Sequence, residues 1–142
     1  MSSERNVDIF SGLILVVSII AIVMEAIGPF AGFYTGYYYY SCLDCAYYTI
    51  GDYISQIFIL ILLIAQIVVA INDLLPKKFI SRDLTKFGLY FALLTVIFSI
   101  IGIISFGVTY DYYEWWPDLG FYGTIVGGVI NSLLYFLKTK NK

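Results

Sequence analysis

The stretch FGLYFALLTVIFSIIGIISFGV, Phe87 to Val108, runs twenty-two residues without a formal charge. As a helix it is about 33 Å long at roughly 1.5 Å per residue, enough to cross a hydrocarbon core of about 30 Å. Gly88, Ala92, Thr95, Ser99 and Gly102 recur at alternating steps of four and three, so the small residues form one seam and large apolar groups cover the other sides. A helix in water hides its large residues and shows its small polar ones. In lipid the tails solvate Leu as well as another helix does, and close packing needs small side chains that let backbones approach. The stretch therefore reads as a membrane span with helical neighbours.

Composition agrees. The chain of 142 residues is 61% hydrophobic and only 13% charged, outside the range of soluble domains. Histidine is absent, which removes the commonest metal ligand and the usual general base. Cys42 and Cys45 are the only soft ligands, too few for a zinc or iron–sulfur site within one chain, and no metal is expected. No phosphate-binding loop, dinucleotide fingerprint or nucleophile elbow is present, and nucleic acid is not an expected partner.

Three more spans follow from the same pattern. The first runs from about Ile9 to Phe30 and is stopped by Gly28-Pro29; it reads as a retained helix, since no small-residue cleavage site follows it. Ser11, Ser18, Ala21, Glu25, Gly28 and Gly32 fall on one stripe of it. The second runs from about Ile54 to Leu75 and stops at Pro76, with Gln66 and Asp73 seven residues apart on one face. The fourth, about Leu119 to Leu137, carries Gly123 and Gly127 in a GxxxG spacing together with Asn131. Ser81 is a candidate N-cap for the third span. The expected fold is an all-α membrane protein, a single domain over residues 1–142 formed by an antiparallel four-helix transmembrane bundle. Its seams, from Gly88 to Gly102 and at Gly123 and Gly127, turn inward or toward a second copy.

Basic residues set the orientation. Arg5 lies before the first span; Lys77, Lys78, Arg82 and Lys86 lie between the second and third; Lys138, Lys140 and Lys142 follow the fourth. The loops Phe33 to Tyr53 and Thr109 to Asp118 have none. The positive-inside rule then places both termini in the cytoplasm and these two loops outside a cell membrane. The basic middle loop serves chiefly as that topology signal, and recruitment of anionic lipid is its alternative use. Of fourteen tyrosines, all but Tyr90 and Tyr135 lie at or beyond the outer ends of the spans, with both tryptophans. Tyr90 and Tyr135 make a thinner inner belt. The outer face is aromatic and acidic, suited either to partner contacts or to a broad headgroup belt.

Three groups carry candidate chemistry. Cys42-Leu-Asp-Cys45, expected outside where thiols stay oxidised, reads as a structural disulfide, a redox pair or a link to another chain; Asp44 disfavours a thiolate at either sulfur. Glu25 lies inside a span, where a carboxyl is either a proton or cation site or a group near the interface bonded to a neighbour's hydroxyl. Gln66 and Asn131 read as interhelical hydrogen-bonding groups or as a polar lining.

With four spans, both ends inside and a CxxC shortly before span two, the chain resembles the DsbB family of membrane thiol oxidases. That resemblance implies electron transfer from Cys42 and Cys45 to a quinone, although the second outer loop has no cysteine pair and AYYTIGDY offers no base. In length, span count, inside termini and the Gly-rich GFYGTIVGGVI (Gly120 to Ile130), the chain is similar to claudin/PMP22-like tetraspans. It departs from them in cysteine spacing and in having no tryptophan in the first outer loop. The aromatic, acidic outer face leads to the expectation of a non-enzymatic tetraspan without a cofactor, whose partners are membrane lipid, membrane proteins or further copies of itself.

Overall fold

The computed structural model describes residues 2–141, with side chains from Ile9 onward. The Arg5 side chain and Lys142, both part of the charge pattern above, lie outside the described residues. Four long helices make up most of the chain: α1 (Ser2–Ile27), α2 (Ile50–Leu74), α3 (Thr85–Thr109) and α4 (Leu119–Lys140). Three short strands, β1 (Ala31–Tyr34), β2 (Tyr38–Ser41) and β3 (Glu114–Pro117), lie in the α1–α2 and α3–α4 connections. All four helices are long and apolar enough to cross a membrane. Each packs on its neighbours in sequence, and α4 closes the ring against α1.

Local chemistry explains the helix ends. α1 stops before Pro29, whose ring disfavours helix in the residue ahead of it, and Gly28 N–H donates to Met24 C=O at 3.0 Å. The expected stripe on α1 is therefore shorter at its end, because Gly32 lies in a strand. α2 opens on a capping box in which the Thr49 hydroxyl accepts from Asp52 N–H while the Asp52 carboxylate accepts from Thr49 N–H. Asp118 caps α4 through Leu119 N–H. Ser81 does not cap α3: Leu84 is the cap residue, and Asp83 instead accepts from the Thr85 N–H at 3.0 Å and hydroxyl at 2.8 Å. An Asp two residues upstream closes a local turn that leaves Ser81 outside the helix.

The sheet corrects the all-α expectation. β1 is its middle strand, paired antiparallel with β2 (Tyr34↔Tyr38) and with β3 (Tyr34↔Glu114). The hairpin turn needs Gly36, whose φ of 103° is one that side chains strain to adopt. The β1–β3 pairing brings both connections to the same end of the bundle. Asp118 N–H to Phe30 C=O and Gly120 N–H to Pro29 C=O, at 3.0 and 2.9 Å, tie that end together.

Burial is inverted relative to a soluble bundle. Leu13, Ile20, Ile61, Ile64, Ile97, Ile101 and Ile104 are exposed, whereas Ser11, Ser18, Gln66, Thr95, Ser99, Thr124 and Asn131 are fully buried. In water this arrangement would expose the apolar groups that normally drive folding; in lipid it exposes them to their own kind and leaves hydrogen bonding for the interior.

Candidate functional site

Three regions gather the chemistry: the sheet end, the buried axis and the opposite, basic end. At the sheet end, the β1 residues Ala31 and Phe33 are buried against the helices. Phe33 stacks on Tyr110 with centroids 4.0 Å apart and on Tyr39 at 5.2 Å. Tyr47 and Tyr113 also reach the Phe33 ring, and Trp115 packs on Phe106, whereas three tyrosines stand out from the surface: Tyr37 is 75% exposed, Tyr38 68% and Tyr112 100%. Asp44, Asp111 and Glu114 stand among them, exposed. Cys42 and Cys45 form a disulfide immediately after β2, their Cα atoms 4.9 Å apart, and Cys45 N–H donates to Cys42 C=O at 3.2 Å.

Beneath the sheet sits a cluster not anticipated from sequence. Asp52, fully buried, accepts from the Ser41 and Thr49 hydroxyls, from Thr49 N–H, and from Gln56 Nε2 at 3.4 Å. Thr49 and Ser105 hydroxyls lie 3.1 Å apart. The carboxylate is at a helix N-terminus, where the dipole favours negative charge, and it joins β2, α2 and α3 through side chains. The Thr-x-x-Asp pattern of Thr49 and Asp52 was the available signal, since it resembles a capping box.

The axis is built in tiers, seven residues apart on α1 (Ser11, Ser18, Glu25), on α2 (Gln66, Asp73) and on α4 (Thr124, Asn131, Lys138). In the middle tier Asn131 Nδ2 donates to Ser18 Oγ at 2.9 Å and to Gln66 Oε1 at 2.8 Å, while Gln66 Nε2 donates to Thr95 Oγ1 at 3.0 Å. One side chain from every helix thus joins a single buried network. Toward the sheet, Ser99 donates to Thr124 Oγ1 at 2.9 Å. Glu25, one heptad beyond Ser18, is 1% exposed, and neither carboxyl oxygen has a hydrogen-bond partner among the described residues. Gln56 Oε1 is buried and unpartnered too.

Toward the basic end the tier is ionic. Lys138, which the sequence places just after the fourth span, lies within α4, is fully buried and bonds to Asp73 Oδ2 and to Ser11 Oγ, the latter at 2.9 Å. Lys78 approaches Asp73 Oδ1 at 3.6 Å. Tyr135 is not part of an inner belt: its ring is fully buried and its hydroxyl donates to Gln66 C=O at 3.2 Å. Heptad spacing from Asn131 to Lys138, matching Ser18 to Ser11, was a usable sign of this; proximity to the terminus concealed it.

The small residues lie where helices approach most closely. Gly88, Ala92, Thr95, Ser99 and Gly102 are all buried on α3. A Cβ on Gly123 would stand 2.7 Å from Met24 Cβ, and one on Gly127 3.0 Å from Ala21 Cβ, so the GxxxG face of α4 meets α1.

These features define an integral membrane protein with four apolar helices, a polar axis and a small sheet uniting two loops at one end. Comparison with known proteins gives no match: no family model, no characterised protein and no solved structure is significantly similar to the chain.

Proposed function

We propose that the chain is a non-enzymatic tetraspan, claudin-like in architecture, that organises membrane or protein partners through the aromatic, acidic face of its sheet end. The observation that carries this reading is the joining of both loops into one sheet whose middle strand is buried on the bundle. Tyr and Trp side chains on such a support lose little further freedom on binding, which is what a contact surface needs. The Cys42–Cys45 disulfide adds to that rigidity by closing the turn after β2. The concentration of basic side chains at the other end supports placing this face outside the cytoplasm.

The test is site-specific photocrosslinking in native membranes from Tyr37 and Tyr112, with lipid-facing Ile97 as comparison. Discrete protein adducts are expected from the two tyrosine positions and should disappear when Tyr38 is changed to Ser. Adducts no different from those at Ile97 would refute the reading and leave a headgroup belt.

A second reading rests on Glu25, a buried carboxyl without a partner in a span, the kind of group that marks proton or cation sites. In proteoliposomes Glu25→Gln should abolish a proton or cation flux; a flux unchanged by the substitution eliminates the site.

A further inference from the structure

At the basic end a groove of about 520 Å³ is lined by α2, α3 and the segment that joins them, and none of the interactions above uses it. Its walls are Ala65 and Val68 of α2 and Phe87 and Phe91 of α3, and Val69 forms its floor. Val68 and Phe87 are exposed at its lip, so in a membrane it opens onto lipid. Val68 lies six residues from the end of α2, about 9 Å of helix, a depth that reaches below the headgroups into the first part of an acyl chain.

The rim has a different chemistry. Among the described residues Arg82 is the one charged side chain lining the groove, and its guanidinium lies over the Phe87 ring, 5.1 Å from the centroid. The loop carrying it is held in place. Buried Asn72 donates to Ile80 C=O at 3.1 Å and accepts from Ile80 N–H at 2.9 Å, a two-bond clamp two residues before Arg82. The adjacent carboxylate, Asp83, turns to Thr85. No ion pair joins Arg82 to a carboxylate among the described residues. Lys77 and Lys86 are exposed in the same segment but do not line the groove.

We infer that this groove is a binding site for an anionic phospholipid, with an acyl chain between α2 and α3 and the headgroup phosphate on Arg82. A planar guanidinium resting on an aromatic ring keeps its donor edge free for phosphate oxygens, which it can engage in pairs. The apolar walls supply what a free anion cannot use, and the Arg82 charge at the rim selects a net-negative headgroup over a zwitterionic one. The inference is independent of the role proposed for the sheet end.

The experiment is native mass spectrometry of the purified full chain with phosphatidylglycerol or phosphatidylcholine. The wild type should retain phosphatidylglycerol about fivefold more strongly, the factor contributed by one well-placed base near an anionic group. Arg82→Gln should erase that preference and Phe87→Leu should weaken it. Lys86→Gln, an equal charge change outside the groove lining, should keep it, and Ala65→Trp should lower retention of both lipids by filling the walls. All four positions can be checked for folding by circular dichroism and a single elution peak. Equal retention of the two lipids, or equal losses in Arg82→Gln and Lys86→Gln, overturns the site in favour of diffuse attraction. Displacement of phosphatidylglycerol by millimolar inorganic phosphate overturns it in favour of a free-anion site. A dimer that Arg82→Gln dissociates overturns it in favour of an interface between copies.

Discussion

The contact between Gly88 and Tyr135 allows a sharp test of how α3 and α4 pack. A Cβ at residue 88 would lie 2.3 Å from Tyr135 Cε1 and 2.4 Å from Cζ, so the ring would have to retreat by about 1 Å to reach ordinary contact. It has nowhere to go, being fully buried and held by its hydroxyl on Gln66 C=O at 3.2 Å. Overpacking of this kind costs roughly 1–3 kcal/mol, against a gain of up to about 1 kcal/mol from the better helix propensity of Ala. Gly12 provides the control, since a Cβ there meets nothing within 4 Å. In a reversible detergent-unfolding titration followed by circular dichroism, Gly88→Ala should destabilise the bundle and Gly12→Ala should leave it unchanged or more stable. In a Tyr135→Leu background, which removes the clashing ring atoms, Gly88→Ala should lose most of its cost, a coupling that only direct contact produces. Equal effects at Gly88 and Gly12, or a cost undiminished by Tyr135→Leu, would refute the packing argument.

Other consequences follow from the axis and the sheet end. Gln66→Leu removes the bonds to Thr95 and Asn131 and should cost about 1 kcal/mol in the same titration, with Asn131→Ala less than additive because the two share a bond. Lys138→Met leaves the Asp73 carboxylate buried without its nearest cation and should cost roughly 3 kcal/mol, while exposed Lys140→Met should change stability by no more than about 0.5 kcal/mol. Outside the spans, burial, then the Asp52 carboxylate and then Tyr47, push the Tyr110 phenol above its ordinary pKa of 10.0. The fold accommodates the neutral phenol, so its contribution is complete below that value and is lost as pH rises through the raised pKa. Alkaline unfolding should begin later in Tyr110→Phe, and identical pH profiles for the two proteins would contradict this.

The spans were legible because crossing a bilayer is decided by local sums of hydropathy and length, which any window of the chain carries. The α3 seam was legible for the same kind of reason: the helical period assigns Gly88, Ala92, Thr95, Ser99 and Gly102 to one side before any neighbour is known. Boundaries were less secure. Ser81 has the right chemistry for a cap, but the turn closed by Asp83 took precedence, and both are a few residues from the same helix start.

Hydropathy and charge placement, read along the chain alone, determined four spans, a basic end, an aromatic end and the face by which each helix meets the others. Tertiary structure alone decided who meets whom. The pairing of Ala31–Tyr34 with Glu114–Pro117 joins strands only four residues long and some eighty residues apart, each of which reads by itself as an aromatic membrane border. Ser18, Gln66, Thr95 and Asn131 become one network, and Lys138 turns inward to Asp73, because each polar group buried among lipid-solvated helices must find a donor or acceptor on another helix. Such a partner is a property of two distant residues at once, and no local pattern contains it.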